Sequence, residues 1–251
     1  MLFRIGTVIA VILSLALASC KSIPSPSISV ADQDAQNKHI TISEVSTDKA
    51  GWVVVHHANA AGELDASTNL IVLKLSSSGQ YTDLQVPVTI VGDQTLFVRL
   101  YYDDPADGKF TYQPGNSEDP PVTVDGKEVV ASFEVIGIPP AVDVSNQAIV
   151  NGTITITRID IPATGWAVLV PATADGKPDL AAAVVIVSLP SEGEYTTVKV
   201  PFSTTVQKTM FIVLHLDNPA DGVYTYQPGE TDDLPVTLNG NVVADSFVVT
   251  P

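Results

Sequence analysis

Residues 95–102 read "TLFVRLYY" and residues 209–216 read "TMFIVLHL". In both stretches every second position is a large apolar side chain: Leu96, Val98, Leu100 and Tyr102 in the first, Met210, Ile212, Leu214 and Leu216 in the second. A period of two lines one face of an extended strand, so each stretch is expected to be a strand with a core face. The alternate positions carry Phe97, Arg99 and Tyr101 in one stretch and Phe211, Val213 and His215 in the other. Exchange of Arg99 for Val213 and of Tyr101 for His215 is the freedom expected of a solvent-facing side.

The two stretches belong to a longer duplication. Residues 40–135 superpose on 154–249 without a gap. Identities cluster at Gly51-Trp52 and Gly165-Trp166, at Val86-Pro87 and Val200-Pro201, and in the loops "YDDPADGKFTYQPG" (102–115) and "LDNPADGVYTYQPG" (216–229). Self-similarity at one fixed offset means one structural unit present twice. Further short runs follow in the first copy: "HITISEV" (39–45), "GWVVVHH" (51–57), "NLIVLKL" (69–75), "QYTDLQVPV" (80–88), "KFTY" (109–112), "PVTV" (121–124) and "EVVASFEV" (128–135). Turn signals such as Ser78-Gly79, Asp125-Gly126 and Asn239-Gly240 separate them. Seven or eight short strands per copy, with no sustained 3.6-residue period, predict an all-β chain of two tandem antiparallel β-sandwiches of immunoglobulin-like kind. Pro87 and Pro201, inside a run, place that strand at an edge or a bulge. Trp52 and Trp166 are expected to anchor the cores.

The amino terminus reads as an export signal: Arg4, an apolar run from Ile5 to Ala18, then Ser19-Cys20. Leu17-Ala18-Ser19-Cys20 resembles the lipobox of bacterial lipoproteins, which implies cleavage before Cys20 and a lipid on its thiol. Lys21 in place of an aspartate points that anchor to the outer membrane or the cell surface. The expected organisation is a signal peptide over 1–19, a lipidated tether over 20–37, repeat 1 over 38–136, a proline-bearing linker over 137–147 and repeat 2 over 148–251. Cys20 is the one cysteine, so the exported part holds no disulfide and depends on its packed cores. The formal net charge of −16 argues against a nucleic-acid partner. It leaves cations, glycans and proteins.

Several residues together resemble a known domain: Gly51-Trp52-Val53, the strand Thr95-Leu96-Phe97-Val98, the turns Asp107-Gly108-Lys109-Phe110 and Asp221-Gly222-Val223-Tyr224, and the segments Pro121-Val122-Thr123 and Pro235-Val236-Thr237. The domain they resemble is an uncharacterised β-sandwich that recurs in tandem in secreted and membrane-anchored proteins of archaea and bacteria. The resemblance implies a fold and carries no catalytic residue with it.

The acidic loop is the one constellation with metal-like chemistry. An EF-hand register started at Asp103 puts Pro105 at the third ligand position and Pro114 at the twelfth, so that motif is excluded. A looser calcium site is expected from Asp103, Asp104, Asp107, Glu118 and Asp119 in repeat 1, and from Asp217, Asp221, Asp232 and Asp233 in repeat 2, since calcium takes hard oxygen ligands. Against it stands a purely structural turn in which Pro105 and Gly108 set the backbone and the aspartates cap amides. His56 and His57 are adjacent on a strand and point to opposite faces, so they do not share a metal. No Gly-x-Ser-x-Gly, His-Glu-x-x-His or phosphate-cradling glycine loop occurs. The sequence thus points to a non-catalytic cell-envelope lipoprotein that serves as a surface binding or structural module. A calcium-dependent carbohydrate-binding module is the alternative, and an envelope-associated hydrolase the third reading.

Overall fold

The structure, a computed structural model, describes residues 25–251. The export signal and Cys20 lie outside the described residues. Repeat 1 runs β1 (Ser27–Ser29), β2 (Gln33–Asp34), β3 (His39–Thr47), β4 (Gly51–His57), β5 (Ile71–Leu75), β6 (Gly79–Pro87), β7 (Gln94–Tyr102), β8 (Thr123–Val124), β9 (Lys127–Glu128) and β10 (Val130–Ile136). Repeat 2 follows the same order as β11 (Ala141–Asp143), β12 (Gln147–Ala148), β13 (Thr153–Ile161), β14 (Gly165–Pro171), β15 (Val185–Leu189), β16 (Gly193–Pro201), β17 (Lys208–Leu216), β18 (Thr237–Leu238), β19 (Asn241–Val242) and β20 (Ala244–Thr250).

In each repeat a three-stranded sheet packs on a five-stranded one, β1-β3-β6 on β2-β10-β7-β4-β5 and β11-β13-β16 on β12-β20-β17-β14-β15. All pairings within these sheets are antiparallel except those of β2 with β10 and β12 with β20. The all-β duplicated sandwich expected from the period-two pattern is the observed fold. Between the sheets lie Ile40, Ile42, Val53, Val55, Leu96, Val98, Leu100 and Phe133 in repeat 1, and Ile154, Ile156, Ala167, Leu169, Met210, Ile212, Leu214 and Phe247 in repeat 2. β6 and β16 are edge strands that end on Pro87 and Pro201, where a missing amide costs no ladder bond to a further strand. The small hairpins β8-β9 and β18-β19 turn at Asp125-Gly126 and Asn239-Gly240, all four residues having φ between 51° and 77°. That is the backbone which the Asp-Gly and Asn-Gly pairs predict.

The structure moves two boundaries. Residues 27–34, expected within the tether, form β1 and β2 and pass from one sheet to the other. Residues 141–148, mostly expected as linker, do the same for repeat 2 as β11 and β12. Their short polar-rich runs hid strands that pair at sheet edges. The true connector is 137–140, and it lies against repeat 1: the Ile138 amide donates to the Ile90 carbonyl at 2.8 Å and its carbonyl accepts from the Gly92 amide at 2.7 Å. A Cβ on Gly137 would stand 2.2 Å from the Gly92 carbonyl oxygen, so only glycine fits there.

The second face of β7 and β17 is not solvent-exposed. Arg99, Tyr101, Val213 and His215 are all buried. So are Trp52, Val54 and His56 on the matching face of β4, and Trp166, Val168 and Val170 on β14. The tryptophans therefore anchor a core, but one on the outside of the five-stranded sheet. Its cover is the long connection after β7, including residues 109–112, which the alternation of "KFTY" predicts as a strand and which run as an irregular segment instead. Phe110 and Tyr112 lie over Tyr101 with ring centroids 5.2 and 4.8 Å away, and Tyr224 and Tyr226 lie over His215 at 5.4 and 4.7 Å. At the start of β4, a Cβ on Gly51 would fall 2.1 Å from the Tyr101 carbonyl oxygen, and one on Gly165 2.1 Å from that of His215. The Gly-Trp pair thus joins a close backbone approach to the largest side chain of the outer core.

Candidate functional site

The acidic loop is built around one buried carboxylate per repeat. Asp119 is 1% exposed; its Oδ1 accepts from the Asp104 amide at 3.1 Å, and its Oδ2 accepts from the Thr111 amide at 2.6 Å and the Thr111 hydroxyl at 3.1 Å. Asp233 repeats this with the Asn218 amide at 3.1 Å and the Thr225 amide and hydroxyl at 2.6 and 3.1 Å. Three donors on one carboxylate satisfy backbone groups that an irregular segment would otherwise leave open, and they tie the aromatic cover to the base of its own loop.

The remaining acids divide between turns and solvent. Asp103 accepts the Gly108 amide at 3.0 Å and Asp107 the Lys109 amide at 2.9 Å. Asp217 accepts the Gly222 amide at 3.2 Å and Asp221 the Val223 amide at 2.8 Å. These are Asx caps of a tight turn. Asp104, Glu118 and Asp232 are exposed. Among the described residues no three Asp, Glu, His or Cys side chains stand close enough together to hold a metal ion. The nine acids singled out in the sequence are therefore brought onto two loops without converging on a point.

Beneath the loops the two repeats solve the outer core differently. In repeat 1, His56 Nε2 and the Tyr101 hydroxyl are 2.9 Å apart, and the His56 Nδ1 lies 2.5 Å from the Thr68 carbonyl. Arg99 lies between the Tyr101 and Tyr112 rings, 5.2 and 5.6 Å from their centroids, and forms an ion pair with Glu128. Repeat 2 has Val213 and Val242 at the two places of that ion pair, and His215 at the place of Tyr101. His215 Nδ1 donates to the Asp233 carbonyl at 2.7 Å, while its Nε2 is buried without a partner among the described residues. Burial pushes both imidazoles below the ordinary value of 6.5 and the Tyr224 phenol up to about 12. Sequence reading missed Arg99, Glu128 and the two buried aspartates as structural centres. Two signals could have found them: the joint exchange of Arg99 and Glu128 for valines, and the equal spacing of Thr111 from Asp119 and Thr225 from Asp233.

Beside the loop of repeat 1 lies a shallow groove of about 420 Å³ lined by Ser67, Asn69, Phe110, Tyr112, Gln113 and Pro114. Where the repeats meet, a larger cleft of about 890 Å³ is lined by His57, Asp65 and Gln94 from one and by Pro162, Glu192 and Asp217 from the other.

Comparison with known proteins gives a family and no activity. A family described as "Domain of unknown function (DUF7282)" matches residues 26–136 and again 140–250. No curated protein matches the chain. Among solved structures, a tetra-tandem repeat in the extending region of a large adhesion protein aligns at 16% identity and a TM-score of 0.31 over 88% of this chain and 47% of that one. The chain thus spans about half the length of that structure. The class 5 fimbriae chaperone CfaA aligns at 10% identity and a TM-score of 0.26 over 90% of this chain and 100% of that one.

Two outcomes follow from the outer cores. Glu128→Val leaves the Arg99 guanidinium, 6% exposed, without its carboxylate and is expected to lower stability in urea unfolding by about 1–3 kcal/mol. Adding Arg99→Val, which recreates the apolar pair of repeat 2, should recover most of that loss; a double variant as unstable as the sum of the singles would contradict the reading. For His56 and His215 the folded state favours the neutral ring. Their contribution is present above 6.5 and is lost as pH falls through the depressed folded values. The melting temperature should therefore drop below pH 6.5, and His215→Tyr, the residue of repeat 1, should reduce that drop.

Proposed function

The chain belongs to that family of uncharacterised domains through both of its halves, and on this premise we propose that it is a non-catalytic lipoprotein of the cell envelope whose two sandwiches act as a surface binding or structural module. The observation that carries this reading is the use made of the polar groups. In both repeats the buried loop aspartate and the buried imidazole are directed at backbone groups and aromatic side chains of their own repeat. Such a loop presents a fixed outline to a partner, and its buried polar atoms are committed to holding that outline. An acyl anchor on Cys20 would place the module at a membrane, in the outer membrane by the choice of Lys21. Several acyl chains hold far more firmly than one, each buried CH₂ contributing ~0.8 kcal/mol.

A second reading, a calcium-dependent glycan-binding module, draws on the groove beside Phe110 and Tyr112, where aromatic rings and the polar ends of Asn69 and Gln113 share one rim. Aromatic faces with a few polar groups are the usual means of holding a small polar ligand.

Two measurements test these readings. Cys20→Ser should shift the protein from the membrane fraction to the soluble one; retention in the membrane would remove the anchor. Calorimetric titration of the purified protein with calcium, followed by a glycan array with and without calcium, is expected to give no heat and no calcium-dependent signal. Heat that is lost in an Asp103→Ala, Asp217→Ala variant, with glycan capture, would replace the first reading by the second.

A further inference from the structure

The two repeats meet through side chains that each carries only on the meeting side. From repeat 1 come Lys38, His57 and Gln94; the equivalent places in repeat 2 hold Gly152, Pro171 and Lys208. From repeat 2 come Glu192 and Glu194, with the buried Asp160 behind them; the equivalents in repeat 1 are Ser78, Gln80 and Ser46. Lys38 Nζ stands 2.5 Å from Glu194 Oε2, and His57 Nε2 stands 3.3 Å from Glu192 Oε1. Arg158 backs this edge by pairing with the buried Asp160 at 2.5 Å.

His57 is at the centre, and its surroundings fix its protonation. Its Nδ1 lies 3.1 Å from Gln94 Oε1 and its Nε2 faces the Glu192 carboxylate. The Gln94 amide cannot be turned to offer its nitrogen instead. That nitrogen donates to the Val91 carbonyl at 3.1 Å and to Glu192 Oε2 at 3.2 Å, and a flip would set oxygen against both. Both ring nitrogens of His57 therefore face acceptors. A neutral imidazole has a hydrogen on one nitrogen only, so whichever tautomer it takes, a lone pair points at an oxygen. The imidazolium alone donates on both sides. Glu192 Oε1 is itself buried and accepts no hydrogen bond among the described residues, so the 3.3 Å ion pair with His57 is the contact that offsets its burial.

We propose that the junction is a proton-dependent latch, in which the His57 imidazolium, held by Gln94 of repeat 1, grips Glu192 of repeat 2 and fixes the angle between the two sandwiches, and in which loss of its proton leaves the Gln94–Glu192 and Lys38–Glu194 contacts to admit a wider range of angles. The groups around the ring agree on the direction. Glu192 from the β15–β16 turn and Asp65 from the β4–β5 connection favour the cation, and Asp217, after β17, lines the same cleft. Opposing the cation is partial burial, while the His56 ring lies on the other face of β4. The Glu192 carboxylate dominates and holds the His57 ring above its ordinary 6.5. The latch is thus fully engaged below 6.5 and is lost as pH rises through the raised value. Among the described residues the connector adds no backbone hydrogen bond to repeat 2, because Ile138 binds it to Ile90 and Gly92 of repeat 1.

The test uses the full chain with Cys20→Ser, spin-labelled at Ser76→Cys in repeat 1 and Ser246→Cys in repeat 2, both exposed positions. Pulsed electron–electron distance distributions are recorded from pH 5 to 9, and the ring nitrogens of His57 are titrated by NMR over the same range. The proposal expects a His57 midpoint above 6.5 with both nitrogens protonated below it, and a narrow distance distribution that broadens across that midpoint. In Glu192→Gln the midpoint should fall to 6.5 or lower and the pH dependence of the width should vanish. A midpoint at or below 6.5 in the unsubstituted junction, or a width that stays constant while His57 titrates, would overturn it.

Discussion

The central strands of this protein are buried on both faces, and a single sandwich interior can hide only one of them. β4 is buried from Gly51 through His56, and β14 from Gly165 through Val170. The three-stranded sheet covers one side; the other must be covered by the chain's own connection. That segment has no sheet partner for most of its length, so its amides need another acceptor. Asp119 and Asp233 supply it from within the covered volume, each with three donors on one carboxylate. The aromatic rings contribute the apolar area, on the order of 150–250 Å² apiece. The buried acid makes the irregular backbone that carries them admissible in a dry setting. Removing either would leave the other with nothing to do.

Much of this was legible in the chain. The alternation in "TLFVRLYY" and "HITISEV", the Asp-Gly and Asn-Gly turns and the gapless duplication yield the sandwich, its repetition and most strand positions. The outer core was not read, because Arg99 against Val213 looks like the tolerance of a wetted surface. The exchange is a coupled one, since Glu128 becomes Val242 with it. An ion pair under two tyrosines and a valine pair under one are alternative fillings of a similar space. One local signal did point inward: "GWVVVHH" is a continuous run and not an alternating one, as strands buried on both faces are. In the acidic loop, charge alone could not say which carboxylates face inward. That depends on the path of the backbone, and the equal Thr-to-Asp spacing in both copies was its only trace. The short strands β1, β2, β11 and β12 escaped for a different reason. Strands of two or three residues carry too little pattern for a period to be read.

Within one chain the duplicated unit serves as its own comparison. The loops over the outer cores keep the same turn, the same buried aspartate and the same threonine partner in both copies, although the rings beneath differ. The ends that face each other have diverged so that acids stand on one and His57, Lys38 and Gln94 on the other. Polar contacts of this kind contribute modestly to affinity, and more to register. A shared groove at such a junction then has a shape set by the angle between two rigid bodies.

The asymmetry also decides whether the arrangement can propagate. Stacking a third such unit on the free end of repeat 1 would use Ser46, Ser78 and Gln80, and stacking one on the free end of repeat 2 would use Gly152, Pro171 and Lys208. Joined to each other, these two ends offer neither a histidine between two acceptors nor a carboxylate for Lys208 among the six positions. Head-to-tail growth by copies of this chain would therefore lack every polar contact that fixes its internal junction. Among the described residues, the contacts that order the two sandwiches join an acidic face to one that carries Lys38, His57 and Gln94, and each of those faces occurs once.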